Sequence, residues 1–291
     1  MKADLDAARI AGGLAARGIR FGLPLSLVEV TESTNDDAKR AARGGIEAGA
    51  AFIADAQTGG RGRLGRTWHS PPGENLYASF VVRPGLVGPD ACGARLFDAQ
   101  TAPLITLAAG LAVVDAVIEV VGPRDLSLKW PNDVWLGGRK LAGILCEAQL
   151  GELGGAGVAG AIRVSPWIVI GIGINVHARE FPGALAESAT SLLLGGASSV
   201  DRGALFVELC SALSRRIELL CSSGGAAIVA DVGARDALLG REVLVDGVSA
   251  VALGIAPNGG LRVRRPDGVE MTCLAGEVRL PAASAKPTGR G

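Results

Sequence analysis

Between Asp55 and Glu74 the chain carries no acid, and there Arg61, Arg63 and Arg66 alternate with Gly59, Gly60, Gly62 and Gly65. Glycine lets backbone N–H groups come close to a ligand and lets a loop rearrange. Arginine presents a planar, permanently charged fork that matches a phosphate or a carboxylate. The stretch therefore describes a cationic loop able to close over an anion. A solvated basic turn and a nucleic-acid contact remain open on this feature alone. It is not a phosphate loop of the Walker kind, which needs Gly-Lys-Ser/Thr at a helix entrance.

A second chemical segment begins with Leu126-Ser127-Leu128-Lys129-Trp130-Pro131-Asn132-Asp133 and continues to Glu147. The chain has only five lysines, and two of them, Lys129 and Lys140, fall here. The pattern predicts a strand, a Pro-Asn-Asp corner, a short strand, a Gly137-Gly138 turn and a further strand. Lys140 opens a strand that is apolar on both faces, so its ammonium must either snorkel or meet an anion. With Asn132 and Asp133 the two lysines make a corner suited to a polyphosphate and its metal. Ser33-Thr34-Asn35-Asp36-Asp37 precedes an alanine-rich stretch. It reads as a helix N-cap with acids in the first turn, and equally as short polar groups for a small polar ligand.

The elements that position these segments follow from hydrophobic spacing. Strands are predicted at residues 25–30, 50–57, 75–82 and 167–176. Gly171 and Gly173 strip one face of the last, leaving room for a flat ligand or a neighbouring backbone. A helix is predicted over residues 103–121 on a stripe of Leu104, Leu107, Leu111, Val114, Ile118 and Val121. Asp201 caps a second long helix that Gly224-Gly225 ends. Residues 83–100 read as a loop, residues 151–160 as a hairpin tip and residues 281–291 as a polar tail. From Gly240 the composition shifts to short valine-rich strands with turns at Asp246-Gly247, Asn258-Gly259-Gly260 and Asp267-Gly268. The expected division is 1–24 as an N-terminal helical extension, 25–239 as the main domain, 240–281 as a small β-module and 282–291 as a tail.

Composition bounds the rest. Twenty-nine basic residues balance 29 acidic ones, so no global charge drives the chain onto nucleic acid or a membrane. Five scattered cysteines without a Cys-x-x-Cys pair argue against a disulfide framework and a cysteine zinc site. His69 and His177 lack ligand spacing. No leader is visible and no apolar run is read as membrane-spanning, so a cytoplasmic protein is expected. Residues 1–22 read as an alanine- and glycine-rich helix, too short for a helix-turn-helix module.

Taken together, Ser33-Thr34-Asn35, the Gln57–Arg63 segment, Lys129–Asp133, Arg139–Leu145 and Gly171–Asn175 stand in an order that resembles the biotin protein ligases. The resemblance covers roughly residues 25–280. It implies an α+β fold: a mixed sheet flanked by helices, like class II aminoacyl-tRNA synthetases, followed by an SH3-like β-barrel. It implies the monofunctional kind, without a DNA-binding domain. The implied reaction uses ATP and Mg²⁺ to convert biotin to biotinyl-5′-AMP. The biotinyl group then passes to a lysine of a biotin carboxyl carrier protein.

By the resemblance, Ser33, Thr34, Asn35, Gln57, Arg61, Gly62, Arg63 and Lys140 contact biotin. Arg66, Lys129, Asn132 and Asn175 contact the nucleotide. Lys140 faces the biotin carboxylate and the α-phosphate, Arg63 holds the acyl phosphate, and Asp133 orients the incoming amine. No metal ligand set is expected from protein alone; Mg²⁺ comes with ATP. Leu64 departs from members that carry a further basic residue there. The small β-module and exposed strand edges allow a homodimer. Lipoate ligase chemistry and a non-catalytic biotin sensor are the alternatives; the polar Ser-Thr-Asn cluster speaks against a dithiolane.

Overall fold

The computed structural model describes residues 4–83, 102–149 and 166–281. The predicted loop at 83–100, hairpin tip at 151–160 and tail lie, but for their edges, outside these residues. Helix α1 (Ala7–Ala16) leads into β1 (Leu25–Thr31), α2 (Thr34–Arg43), β2 (Ala51–Gln57) and β3 (Asn75–Val82). Helix α3 (Ala102–Val121) precedes β4 (Leu126–Lys129), β5 (Asp133–Leu136), β6 (Arg139–Gln149) and β7 (Trp167–Asn175). A single turn, α4 (Leu185–Ser188), and helices α5 (Arg202–Ser223) and α6 (Ala226–Gly233) follow.

Strands β1 to β7 form one mixed sheet in the order β1-β2-β3-β7-β6-β5-β4. Only β1 and β2 are parallel, joined through α2; the other pairs are antiparallel. This is the expected α+β arrangement of a mixed sheet flanked by helices. One face carries the main core, where α3 and α5 pack together and α3 lies on β4 to β7. The other face is covered by α2, whose Ala38 and Ala42 meet Val81, Trp167 and Val169.

Helix α3 differs from its predicted single stripe. Ile105, Ala108, Ala109, Ala112, Val113, Ala116 and Val117 are buried as well, because the helix is held between the sheet, α5 and α6. It is also a correction to the expectation about membrane spans: Pro103–Val121 is 19 residues long with mean hydropathy 2.2. That satisfies the length and composition of a span, yet 67% of it is buried within the fold. A helix apolar all round is what a core position requires.

The N-terminal extension is tied into the main body. Arg202, fully buried at the start of α5, donates to Asp4 at 2.8 and 2.9 Å, to Asp55 at 2.8 Å and to the Asn75 carbonyl at 3.0 Å. Removing one partner of such a group would strand a buried charge. Cys146, Cys210 and Cys273 are free. Cys221 is disulfide-bonded, which the scatter of cysteines does not lead one to expect.

Beyond Gly240, β8 (Glu242–Val245), β9 (Val248–Ile255), β10 (Leu261–Arg264), β11 (Glu270–Cys273) and β12 (Val278–Arg279) form an antiparallel sheet in the order β11-β10-β9-β8-β12. This sheet rests on the first: Trp130 Nε1 donates to the Gly259 carbonyl at 3.0 Å. Gly259, at φ 82°, sits so close to Leu104 that a Cβ would lie 2.9 Å from its backbone nitrogen.

Candidate functional site

A cleft of about 680 Å³ opens on the α2 side of the sheet, between the glycine–arginine loop, the Lys129–Asp133 corner and β12. Ser33, Thr34, Asn35, Gln57, Arg61, Gly62, Arg63, Arg66, Lys129, Asn132, Asp133, Lys140 and Asn175 all line it. Every residue singled out from the sequence as a site candidate therefore reaches one hollow.

The glycine–arginine loop is a folded hairpin. Arg61 bridges Thr67, Gly62 N donates to the Arg66 carbonyl at 2.7 Å and Trp68 N to Gly60 at 2.9 Å. A short turn at Arg63–Gly65 forms its tip, with Leu64 at φ 56° and mostly exposed. Each arginine has a different partner. Arg61 bonds Asp36 in the first turn of α2 and stands 3.9 Å from Glu147. Arg66 pairs with Glu277, on the C-terminal module. Arg63 has, among the described residues, only the Asn132 amide oxygen, at 3.4 Å. Burial pushes the Arg63 pKa down, against the opposing charge of Asp133. It is a cation short of counter-charge.

Lys140 reaches the cleft through a β-bulge. From β5 to β6, Val134 pairs with Ala142 and the next residue, Trp135, pairs with Lys140, so β6 holds one residue more. Strict alternation from Gly143 and Leu145 would put Leu141 in the cleft and Lys140 in the apolar layer. The extra residue reverses the two: Leu141 is fully buried and Lys140 lines the cleft. Its ammonium lies 2.6 Å from Asp133 Oδ1, an ion pair outside hydrogen-bond alignment, and 5.3 Å from the Trp68 ring centroid. Lys129, the cross-strand partner of Asp133 on β4, stands 3.8 Å from the same carboxylate. Burial lowers the Lys129 pKa, and the charges of Lys140, Arg66 and Arg63 add to that. Two cations, Lys129 and Lys140, thus share the carboxylate of Asp133, and Arg63 adds its charge to the same corner without an ion pair to it.

At the other end the floor is polar and buried. Thr34 N donates to Gln57 Oε1 at 3.0 Å and Gln57 Nε2 to Ser70 Oγ at 3.0 Å. Ser33 stands at the N-cap of α2, but its side chain makes no capping bond. The cap reading therefore holds for its position and not for its hydroxyl, which is left to the cleft. Asn175 donates to the Thr190 carbonyl at 2.9 Å and holds the segment after β7 against the sheet.

The space left by the β7 glycines is filled differently from expectation. It holds neither a flat ligand nor a backbone but two side chains of this chain. A Cβ on Gly171 would meet Asn35 Oδ1 at 2.1 Å, and one on Gly173 would meet the Trp68 indole at 2.5 Å. The Trp68 indole N–H has no hydrogen-bond partner among the described residues. Sequence reasoning also missed Ser79, Glu147 and Glu277. The first two could have been found from alternation: Ser79 shares the Tyr77 face of β3, and Glu147 follows Gly143 and Leu145 on β6. Glu277 gave no signal, because its place depends on how the C-terminal module docks.

The Arg61 guanidinium beside Asp36 holds that carboxyl down at about 2, from an ordinary 3.8. A depressed folded pKa gives stability that is complete above the unfolded pKa and is lost as pH falls through the folded one. Asp36→Asn is therefore expected to cost about 1–2 kcal/mol near pH 7, after allowance for partial exposure. The cost should fade between about pH 4 and pH 2. Melting curves of both proteins across that range test this; a difference independent of pH would refute it.

Comparisons with known proteins point to one family. A family model described as the biotin/lipoate A/B protein ligase family matches residues 27–162. The biotin--[acetyl-CoA-carboxylase] ligase of Mycobacterium tuberculosis is 36% identical over 225 residues, which cover 76% of this chain and 74% of that protein. The bifunctional ligase/repressor BirA of Bacillus subtilis is 33% identical over 214 residues, covering 70% of this chain; the chain spans only 59% of that protein's length. Among solved structures, the biotin protein ligase of Aquifex aeolicus in complex with biotin and ATP superposes with a TM-score of 0.69 at 27% identity. The match covers 88% of this chain and 98% of that one.

Proposed function

Since the chain belongs to the biotin/lipoate A/B protein ligase family, we propose that it activates biotin with ATP and transfers the biotinyl group to a lysine of a biotin carboxyl carrier protein. The observation that carries this reading is the charge imbalance of the cleft. Lys129 and Lys140 pair with one carboxylate at one end, with Arg63 beside them, while the buried Ser33 and Thr34 and the half-buried Gln57 form a polar floor at the other. A ligand that fits has a polar ring and an anionic tail, and its tail must meet a second, strongly anionic substrate. Biotin and ATP satisfy both demands.

In the first step a carboxylate oxygen of biotin attacks the α-phosphorus and pyrophosphate leaves. Lys140 lies where the carboxylate and the α-phosphate meet and offsets their repulsion. Arg63 takes the acyl phosphate, and Lys129 and Asn132 take nucleotide oxygens. Preorganised cations of this kind stabilise charge that accumulates in the transition state. Mg²⁺ arrives on the triphosphate. Among the described residues no group of three or more His, Cys, Asp or Glu is placed to hold a metal, and Asn132 and Asp133 are the oxygen-bearing side chains nearest that corner.

In the second step the carrier's amine attacks the acyl carbon, AMP leaves with the electron pair, and the amine loses a proton. A lysine amine has a pKa near ~10.4 and is almost wholly protonated at neutral pH. Asp133, already bridging two ammonium groups, is the group placed to orient it. The Arg66–Glu277 pair brings the C-terminal module, which we read as an SH3-like barrel, into the wall of the cleft. The domain limits 25–239 and 240–281 and a cytoplasmic location belong to the same proposal.

Incubation with ATP, Mg²⁺, biotin and a carrier domain should add one biotin to the carrier, read by mass spectrometry. No product at any concentration would reject the proposal. Pyrophosphate exchange driven by lipoate and not by biotin would move it to the lipoate branch of the family.

A further inference from the structure

Behind the cleft floor runs a chain of buried polar groups whose protons can point only one way. It starts at Glu147 on the cleft face of β6. The carboxylate pairs with Lys39 Nζ at 2.7 Å and lies 2.8 Å from Asn35 Nδ2. A carboxylate held in an ion pair only accepts, so the Asn35 amide turns its NH₂ group toward it. The Leu145 carbonyl, 3.3 Å from the same nitrogen, also only accepts. Gly171 closes over the amide and leaves no room for it to shift.

The Asn35 oxygen therefore faces Ser79, whose Oγ is 2.6 Å away. An amide oxygen cannot donate, so Ser79 gives its one proton there. Thr34 Oγ1 lies 2.8 Å from the same Ser79 oxygen and 3.2 Å from Gln57 Oε1. Ser79 has no second proton, so the Thr34 proton must point to Ser79. Turned to Gln57 Oε1 instead, at the longer 3.2 Å, it would leave Thr34 and Ser79, 2.8 Å apart, as two buried oxygens in contact with no proton between them. Ser79 is 0%, Thr34 4% and Asn35 5% exposed, so bulk water does not relieve the constraint.

We infer that Glu147 is a specificity-determining positioning residue: it fixes the direction Thr34→Ser79→Asn35→Glu147 and leaves Thr34 Oγ1 facing the cleft as an acceptor only. The inference rests on the biotin reading and deepens it. A cyclic urea brings a ring N–H to such an acceptor. A ring oxygen in its place sets two acceptors against each other and leaves buried polar atoms unpaired.

Glu147→Gln should reverse the chain. Lys39 holds the introduced amide by its oxygen, the introduced NH₂ group faces Asn35, the Asn35 amide turns although its oxygen then faces the Leu145 carbonyl, 3.3 Å away, and Ser79 donates to Thr34. One Thr34 lone pair is then taken by Ser79, and the Thr34 proton is shared between Gln57 Oε1, 3.2 Å away, and the ligand. The double variant Glu147→Gln with Asn35→Asp should restore the original direction, because a carboxylate at position 35 accepts from the introduced amide on one side and from Ser79 on the other.

The test is calorimetric titration of wild type, E147Q, E147Q/N35D and S79A with biotin and with its two cyclic-carbamate analogues, in which one ureido N–H is replaced by oxygen. Wild type should prefer biotin to one analogue by about 100-fold. In E147Q and S79A, biotin should bind about tenfold more weakly and that preference should fall below about threefold. In turnover assays of E147Q, KM for biotin should rise about tenfold while kcat changes by less than about threefold. The double variant should recover the wild-type preference. Unchanged discrimination in E147Q, or failure of the double variant to recover with a native circular-dichroism spectrum, overturns the inference. Absence of biotin binding by wild type would instead overturn the function proposed above, and this inference with it.

Discussion

Lys140→Ala is expected to slow formation of biotinyl-5′-AMP by about 10²–10³-fold, the cost of removing one preorganised charge from a site where charge develops. Transfer from preformed adenylate to the carrier should slow far less. The asymmetry follows from the proposed reaction, in which the ammonium serves the meeting point of two anionic substrates, and that point exists only in the first step. Its loss also leaves the Asp133 carboxylate with Lys129, 3.8 Å away, as its nearest cation. Single-turnover pyrophosphate release, compared with transfer from synthetic biotinyl-5′-AMP, separates the two steps. Equal slowing of both would mean that the lysine has been given the wrong role.

The second large effect is expected at Arg63. Arg63→Gly should weaken retention of the adenylate by about 10- to 150-fold, since charge-assisted hydrogen bonds contribute roughly 1.5–3 kcal/mol. Arg63 is the arginine to choose because its neighbours have carboxylate partners and it does not: Arg61 has Asp36, Arg66 has Glu277, and Arg63 has an amide oxygen at 3.4 Å. Folding has left its charge for a ligand. The glycine also loosens the loop tip, so release rather than formation of the intermediate should respond most. Radiolabelled adenylate retained on a filter over time measures this directly. A release rate equal to wild type would refute it.

The types and spacing of residues made the site legible, and the places where reading fell short have physical causes. The glycine–arginine loop and the Lys129–Asp133 corner carried their chemistry in their composition, and both line the cleft. Strand positions followed from alternation, to within a residue or two. What composition could not carry was pairing. Nothing in the order of residues 61–66 distinguishes the arginine that lacks a carboxylate from the two that have one. The glycines of β7 announced a space but not its occupants, because Asn35 and Trp68 come from segments more than a hundred residues away in the chain. Helix α3 carries a stripe of large residues, but burial on three sides also takes in Ile105, Val113, Val117 and four alanines, and spacing along one helix does not reveal how many neighbours surround it. Glu277 reaches the cleft only because a second sheet docks on the first.

The bulge in β6 has an implication of its own for how this protein tolerates change. Which layer a strand residue enters is decided by odd or even count, and the ammonium at 140 sits on the correct side through one supernumerary residue. Excising Leu141 would straighten the strand yet keep Lys140 on the cleft side, because the lysine would take the place that regular alternation gives to position 141. Only a strand that ran regularly with every residue kept would turn the ammonium to the oily side. The count at this place thus forgives a deletion and does not forgive loss of the irregularity itself.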